Sequence, residues 1–277
     1  MDIKNVLVPV DFSPASRLAV NYAVSLARKF RAKLILMHVV ESSVLAHPFR
    51  AESARIEKEH GEQALRMLSA LLAPEDQDDL DLRIVIKSGD IKDEISSAIR
   101  EQHADIAVMG THGRGLFGRW LIGSVTETIL RKVSVPILTV CRATRSLTFN
   151  RILFATDLSE SSKQGFGFAL EMARMMRSDV VLVHALDKMG LTYGGSEMVG
   201  YVSQQNIGEA KANLAEFVAE GSRQNVKIET VVVEGVAGEE ILKAADENTA
   251  DLILITVQNK GLVERALLGT TAERVIR

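Results

Sequence analysis

The sequence of 277 residues carries 33 lysines and arginines against 36 aspartates and glutamates, and this formal net charge of −3 excludes a strongly basic nucleic-acid surface. The single cysteine, Cys141, excludes an intramolecular disulfide and favours a reducing compartment. No leader pattern is evident and no apolar run approaches the ~20 residues of a membrane span, so we expect a cytoplasmic protein that binds neither nucleic acid nor membrane.

Taken in chain order, the first half of the sequence alternates strand patterns with helix patterns. Residues 3–10 form an apolar strand pattern, and a helix follows with Ser13 as its N-cap and Pro14 as its first residue. Further strands are predicted at 33–40, 80–87, 104–110 and 135–141, and further helices at 50–73, from Asp90 and from Ser124. The alternation of apolar and polar residues in 80–87 is typical of an edge strand. Strands that alternate with helices predict an open parallel sheet with helices on both faces.

The second half of the sequence repeats the first at a constant offset of 146 residues. The matched pairs include Asp11 with Asp157, His38 with His184, and Gly89 with Gly235. A register without gaps over most of both halves indicates a duplicated domain. We therefore predict two tandem α/β domains, at residues 1–143 and 150–277, with a linker at 142–150.

The second copy stops short of its last strand. Arg277 matches Arg131, so the counterpart of the strand at 135–141 is missing, and the second domain is interpreted as truncated at its C-terminus. We expect a second sheet that lacks this strand. Its exposed apolar edge is expected to be covered by another chain or segment.

The segment from Gly110 to Ser124, GTHGRGLFGRWLIGS, joins the end of a strand to the start of a helix. In open α/β sheets ligands bind outside the carboxyl ends of the strands, and the free N–H groups of a helix start favour an anion. The glycines permit close backbone approach, and His112 and Arg114 are candidates for phosphate contact. Two alternatives stay open: Ser124 has capping-box spacing to Glu127, and Arg114 is equally well explained as a solvated arginine.

The spacing G-x2-G-x9-G-[ST], matched by Gly110, Gly113, Gly123 and Ser124, resembles the ATP-binding signature of the universal stress protein family. The strands VLVPVDFS, LILMHVV and SVPILTV resemble the same family. The resemblance covers nearly the whole chain, twice. It implies two Rossmann/flavodoxin-like domains with the strand order 3-2-1-4-5, and it implies ATP, with Mg²⁺, in the cleft that these loops form.

The resemblance also assigns site residues one by one. Pro9, Val10 and Asp11 would lie near adenine and ribose, and Val39 would meet adenine through its backbone. The other assigned residues would flank the ribose or the phosphates: Met109, Gly110, His112, Gly113, Arg114, Gly123, Ser124 and Val125. Asp11 would also hold a metal-bound water, and the alternative for this residue is an aspartate that supports the start of a helix.

The second copy departs from the signature, because Thr256 and Asn259 replace Gly110 and Gly113. We expect Thr256 to add bulk at the ribose end, so that the second site binds ATP weakly or not at all. The two histidines that match across the repeats lie in apolar strands and are interpreted as core histidines: His38 and His184.

The expected function is that of a nucleotide-responsive stress regulator that binds ATP through its first domain. No catalytic residue is assigned, and weak ATP hydrolysis is the most enzymatic activity that we expect. The alternatives are a slow Mg-dependent ATPase and a nucleotide-free interaction scaffold. The two domains are expected to pack as an intrachain pseudo-dimer. The sequence leaves open a homo-oligomer and the identity of a protein partner.

Overall fold

The computed structural model describes residues 3–41, 50–111, 122–140, 149–186, 196–257 and 269–276. The chain falls into two units that divide between Leu147 and Thr148. Several residues singled out above lie outside the described residues: His112, Gly113, Arg114, Cys141 and Asn259. The domain bounds of 1–143 and 150–277 stay a prediction, because most of the linker lies outside the described residues as well.

Within the described part of the first unit, the strands are β1 (Asn5–Pro9), β2 (Lys33–Glu41), β3 (Leu82–Gly89), β4 (Ile106–Gly110) and β5 (Ile137–Val140). The helices are α1 (Pro14–Phe30), α2 (Arg50–Ser69), α3 (Pro74–Asp79), α4 (Ile91–Glu101) and α5 (Ser124–Lys132). Neighbouring strands are parallel, in the order β3-β2-β1-β4-β5. The predicted order 3-2-1-4-5 is confirmed, and so is the edge position of the third strand.

The helix predicted at roughly 50–73 is confirmed except for its last turn. Helix α2 ends at Ser69, and the short helix α3 starts at Pro74. Proline has no N–H to donate and suits the first position of a helix. Pro74 therefore suits the start of α3.

The core of the first unit lies between its sheet and helices α4 and α5. Alternate residues of a strand share one face, so Leu7, Ile35 and Met37 project together from β1 and β2. They pack against Ile95 of α4 and Ile129 of α5, and each of the five is at most 3% exposed. This packing holds the carboxyl ends of the central strands in fixed positions, where the candidate site lies.

Within the described part of the second unit, the strands are β6 (Arg151–Thr156), β7 (Asp179–Leu186), β8 (Ile228–Glu234) and β9 (Leu252–Ile255). The helices are α6 (Glu160–Met176), α7 (Ser196–Arg223), α8 (Ala237–Glu247) and α9 (Thr270–Ile276). Neighbouring strands are parallel, in the order β8-β7-β6-β9. The predicted four-stranded second sheet is confirmed.

Strand β9 is an edge of the second sheet as far as the described residues extend. Its side chains are half-buried, whereas Ile106–Met109 of β4, which β5 flanks, are buried. That another chain or segment covers this edge stays a prediction.

Both units start their first helix with the same cap. The hydroxyl of Ser13 accepts the N–H of Ser16 at 3.2 Å, and the hydroxyl of Ser159 accepts the N–H of Ser162 at 3.2 Å. The predicted N-cap at Ser13 is therefore confirmed, and the duplication extends to the details of local hydrogen bonding.

Helix α7 has 28 residues, a length that could cross a bilayer if the helix were apolar. Polar and charged residues interrupt it throughout. Within the described ranges, every helix is too short or too polar to cross a membrane.

Candidate functional site

The loop between β1 and α1 places Asp11 at the carboxyl end of the first strand. Its Oδ1 accepts the N–H of Ser13 at 3.0 Å, and Phe12 between them is left-handed, with a φ of 64°. Burial raises the pKa of Asp11, but hydrogen bonds from Ser13 and Ser16 outweigh burial and hold the pKa below its usual value. Asp11 is therefore a carboxylate at neutral pH, and it does support the start of a helix.

His38 ties strand β2 to this loop. Its ring nitrogen Nδ1 lies 2.7 Å from the carbonyl oxygen of Val10, and its ring centroid lies 4.8 Å from that of Phe12. The N–H of Val10 in turn donates to the carbonyl of Met37 at 2.7 Å. His38 is half-buried and borders a cavity, so it is a hydrogen-bonded histidine at the margin of the core, as half-buried His184 is in the second unit.

This cavity, of about 550 Å³, opens beside the loop. Its walls come from the β1–α1 loop, the end of β2, one face of α2 and the start of α4: Asp11, Phe12, His38, Val39, Val40, Glu41, His60, Gln63, Ala64, Met67 and Ile91. Asp11 and Val39 are among the residues that the resemblance assigns to the site. Two of the assigned residues therefore line a cavity that is large enough for a small-molecule ligand.

The wall that α2 contributes was not predicted from the sequence. His60, Gln63, Ala64 and Met67 line the cavity, and their spacing of i, i+3, i+4 and i+7 puts them on one helix face. This spacing is visible in the sequence. Because these four residues mix polar with apolar side chains, however, the pattern is equally typical of the partly exposed face of a surface helix.

Gly110 ends β4 directly behind α1. A Cβ at this position would lie 2.7 Å from the carbonyl carbon of Ala15, closer than side chains are found to pack. Gly110 therefore lets the start of α1 approach the end of β4, and its carbonyl accepts the hydroxyl of Thr126 at 3.0 Å. The side chain of Met109 is 4% exposed and belongs to the core, which leaves its backbone for any ligand contact.

Thr256 is the counterpart of Gly110 in the second unit. Here the glycine that allows the close approach lies on the helix and not at the end of the strand. A Cβ at Gly165 of α6 would overlap the Thr256 hydroxyl, so the glycine in the helix makes room for the threonine. The matching helix position in the first unit is Ala19. The Thr256 side chain packs against α6. That the second unit binds ATP weakly or not at all stays a prediction.

Helix α5 starts without a side-chain cap. Gly123 is its N-cap residue, and the N–H of Gly123 donates to the carbonyl of Thr111 at 2.7 Å. Ser124 is the first helical residue and not the cap, so the capping-box interpretation of Ser124 is wrong. Glu127 pairs with Arg131 instead. Among the described residues no side chain caps this turn, which leaves its N–H groups for solvent or an anion.

The parallel sheet places the described site residues at one edge, because parallel strands end on the same side. Pro9 ends β1, and Val10 and Asp11 follow it. Val39 lies near the end of β2, and Gly110 ends β4. Val125 packs its side chain against the core, so only its backbone is left for a ligand. In the described part of the chain, no three His, Cys, Asp or Glu side chains gather as a metal site.

Comparison with known proteins finds one family in both halves of the chain. The profile described as "Universal stress protein family" matches residues 2–140 and 148–277. A universal stress protein of Mycolicibacterium smegmatis is 25% identical over 279 residues, which cover 98% of this chain and 92% of that protein. Another, of Methanocaldococcus jannaschii, is 32% identical over 133 residues, 47% of this chain and 76% of that protein.

Among solved structures, a universal stress protein from Archaeoglobus fulgidus is similar over 99% of this chain and 93% of its own. The TM-score is 0.75 at 19% sequence identity, a likeness of fold. The family profile matches nearly the whole chain in two consecutive copies, and each copy folds as one parallel sheet with helices. The chain therefore belongs to the universal stress protein family, as a tandem protein of two such domains.

Proposed function

We propose that the first unit binds ATP at the carboxyl edge of its sheet, and that the protein acts as a nucleotide-responsive stress regulator. The observation that carries the proposal is the cavity of about 550 Å³ beside Asp11 and Val39, at the ends of adjacent strands. Small-molecule sites typically enclose about 300–1,000 Å³. Membership of the family supports ATP as the ligand, because the signature glycines and Ser124 are intact in this unit.

The phosphates would lie towards the start of α5. The uncapped first turn offers N–H groups, and the helix dipole favours negative charge there. Glu127 lies in this turn and would repel phosphate, but its ion pair with Arg131 offsets the charge. Glycine at residue 123 leaves the N-cap position without a side chain, so a phosphate can approach the backbone.

The residues fit a magnesium ion that arrives with the nucleotide. Mg²⁺ is commonly held by one or two carboxylates together with phosphates and waters. Asp11 supplies one such carboxylate, since its pKa lies below the usual value and it stays charged at neutral pH. Bound Mg²⁺ would neutralise phosphate charge, and Asp11 would hold it through a water molecule.

Titration of the full chain with Mg-ATP tests the proposal, and Met67→Trp is the informative variant. Met67 is half-buried in the cavity wall, so an indole ring there would occupy the space of the ligand. We expect at least about tenfold weaker binding, equal to about 1.4 kcal/mol. Asn213→Trp is the matched control, because Asn213 holds the equivalent, exposed position of α7 and should leave the affinity unchanged.

Unchanged ATP affinity in Met67→Trp would show that the cavity is not the site. The nucleotide-free scaffold would be favoured if the wild-type chain bound no ATP and released no nucleotide into a mass spectrometer. Steady turnover of ATP in excess Mg²⁺ would instead favour the slow ATPase. The cytoplasmic location, the intrachain pseudo-dimer and a homo-oligomer stay predictions that these measurements do not address.

A further inference from the structure

The hydroxyl of Thr126 joins helix α5 to the end of strand β4. It donates to the carbonyl of Gly110 at 3.0 Å, and Thr126 is 4% exposed. Thr126 is the third residue of α5, so this bond holds the first turn, whose N–H groups have no acceptor within the helix. Because the bond is shielded from water, solvent does not readily replace it. The turn therefore has a fixed position relative to the end of the strand.

Gly110 is also the point where the first helix meets the sheet. The start of α1 packs so closely on it that a Cβ there would lie 2.7 Å from the carbonyl carbon of Ala15. The loop that leads into α1 carries Asp11, which accepts the N–H of Ser13 at 3.0 Å and lines the cavity. Gly110 therefore contacts two helix starts at once, that of α1 beside the cavity and that of α5.

Backbone hydrogen bonds support the same turn. The N–H of Gly123 donates to the carbonyl of Thr111 at 2.7 Å, and the N–H of Thr111 donates to the carbonyl of Val140 at 3.1 Å. Neither bond depends on the identity of a side chain. The hydroxyl of Thr126 is therefore the part of this arrangement that a substitution can remove.

The second unit differs at this turn. Ala272 stands at the position of Thr126 and has no hydroxyl to donate. Gly269, the counterpart of Gly123, has a φ of 84°, whereas Gly123 has a φ of −59°. The chain therefore enters its last helix with a different backbone geometry in the two units. The hydroxyl is present in the unit that has the intact glycine signature.

We propose that Thr126 is a positioning residue for the triphosphate. Through Gly110, its hydroxyl holds the first turn of α5 in a fixed relation to the loop that carries Asp11. The N–H groups for the phosphates and the carboxylate for the magnesium ion are then ordered before the nucleotide binds, which lowers the entropic cost of binding. This inference rests on the proposed function, since it names a residue that orders the proposed phosphate site.

Binding of Mg-ATP and of adenosine by full-length Thr126→Val, measured by calorimetry, tests the proposal. Valine has nearly the shape of threonine but no donor, and adenosine has the base and ribose of ATP but no phosphate. We expect Mg-ATP to bind about tenfold more weakly, the size of effect that one hydrogen bond produces. The affinity for adenosine should stay at its wild-type value. A residue that only supported the fold would change both affinities.

Three further variants identify the hydroxyl as the cause. Thr126→Ser keeps the donor and should keep the wild-type affinity for Mg-ATP. Thr126→Ala introduces the residue that the second unit has at this position, and it should weaken Mg-ATP binding as valine does. Thr128→Val is the matched control on the same helix, because Thr128 is exposed and its hydroxyl donates to the carbonyl of Ser124 within the helix. It should leave both affinities unchanged.

The proposal is overturned if Thr126→Val and Thr126→Ala keep the wild-type ratio of the Mg-ATP and adenosine affinities, or if Thr126→Ser loses as much as they do. Equal affinities of the wild-type chain for Mg-ATP and adenosine would also overturn it, because the phosphates would then contribute nothing. Absence of ATP binding by the wild-type chain is a different result, since it overturns the proposed function itself. The alanine variant keeps the test decisive if the valine variant does not fold.

Discussion

Two glycines show how one residue determines the approach of a helix to the sheet. Gly110 leaves room for the backbone of Ala15, and Gly165 leaves room for the hydroxyl of Thr256. In the first unit the missing side chain is on the strand, and in the second it is on the helix. Each glycine is therefore tied to one specific partner across the interface between helix and sheet.

We expect Gly165→Ala to destabilise the second unit by about 1–3 kcal/mol, because the added methyl group would overlap the Thr256 hydroxyl. Gly167→Ala is the control in the same helix, since a Cβ there meets nothing within 4 Å. It should stabilise the unit by about 0.5–1 kcal/mol, because alanine favours helix over glycine. Urea unfolding measures both changes.

Adding Thr256→Gly should restore most of the stability that Gly165→Ala removes, since it takes away the overlapping hydroxyl. If the two alanine substitutions in α6 have equal effects, the contact with Thr256 does not govern this site.

Asp157 gives the second unit an acid-sensitive contribution to stability. Burial raises its pKa, but hydrogen bonds from Ser159 and Ser162 outweigh burial and hold the pKa below the usual 3.8. A pKa lowered by folding stabilises above the unfolded-state value and loses that effect as pH falls through the folded-state value. We expect Asp157→Asn to be less stable at pH 7 and to lose less stability below about pH 4. Urea midpoints across this range check it, and parallel pH curves for both proteins would contradict it.

At single positions, the sequence predicted which residues are important better than it predicted the contacts that these residues make. Gly110 was predicted to serve a ligand loop, but the structure shows that it also admits the backbone of Ala15, 95 residues earlier in the chain. Local spacing contains no information about such a distant neighbour. The hydrogen bond of His38 was missed for the same reason, because its partner Val10 lies in the loop after β1, 28 residues earlier in the chain.

The equivalent helices α4 and α8 start in different ways. Asp90 caps α4, and its Oδ1 accepts the N–H groups of Lys92 and Asp93 at 2.9 and 3.0 Å. Val236 precedes α8, forms no side-chain cap and is 56% exposed. The second unit therefore lacks at this helix start a stabilising contact that the first unit has.

We expect Val236→Asp to stabilise the second unit by about 0.5–2 kcal/mol, the usual effect of an N-cap. The backbone there is already extended, with φ of −72° and ψ of 112°, as an N-cap requires. Asp90→Ala should destabilise the first unit by a similar amount. Thermal unfolding checks both, and Val236→Ala is the control. An equal shift for Val236→Ala and Val236→Asp would mean that lost exposure of valine, and not capping, is the cause.

Helix starts were predictable from the sequence, whereas helix faces were not. Ser13 before Pro14 identifies the start of α1 through local chemistry alone. The face of α2 that carries Gln63 and Met67 lines the cavity because of the strand that this helix covers. Which strand that is depends on the topology of the whole unit and not on the composition of the helix.

Each unit has a hydrophobic core of its own among the described residues. Leu7 and Ile95 belong to the first core, and Leu153 and Ile241 belong to the second. A ligand that binds one unit therefore need not stabilise the other to the same extent.

We expect Mg-ATP to slow hydrogen exchange in the first unit, above all in the β1–α1 loop, α2 and the start of α5. At a free concentration of 100 times Kd the stabilisation would be about 2.7 kcal/mol. Exchange in the second unit should change little. Mass spectrometry of the full chain resolves both units in one sample, with Met67→Trp as the control that loses the effect. Equal protection of both units would show that the second unit also binds the nucleotide.

The architecture of the whole molecule was the most predictable level. Repeated alternation of strand and helix, with parallel crossovers of one hand, leaves few strand orders. The family resemblance implied the order 3-2-1-4-5, and this order is observed. The four strands of the second sheet followed from the repeat register. The cavity could not be derived in this way, because its depth depends on how far α2 stands from β2.

The contact between Thr256 and Gly165 also constrains the order of substitutions after the chain was duplicated. Consider an ancestor with glycine on the strand and alanine on the helix in both copies, as Gly110 and Ala19 are today. Threonine introduced first would meet the alanine methyl group, whereas glycine introduced first costs only about 0.5–1 kcal/mol in a helix. The substitution to glycine in the helix is therefore the less destabilising first step. Once threonine is present, alanine at residue 165 would overlap it, so the two positions have to change together.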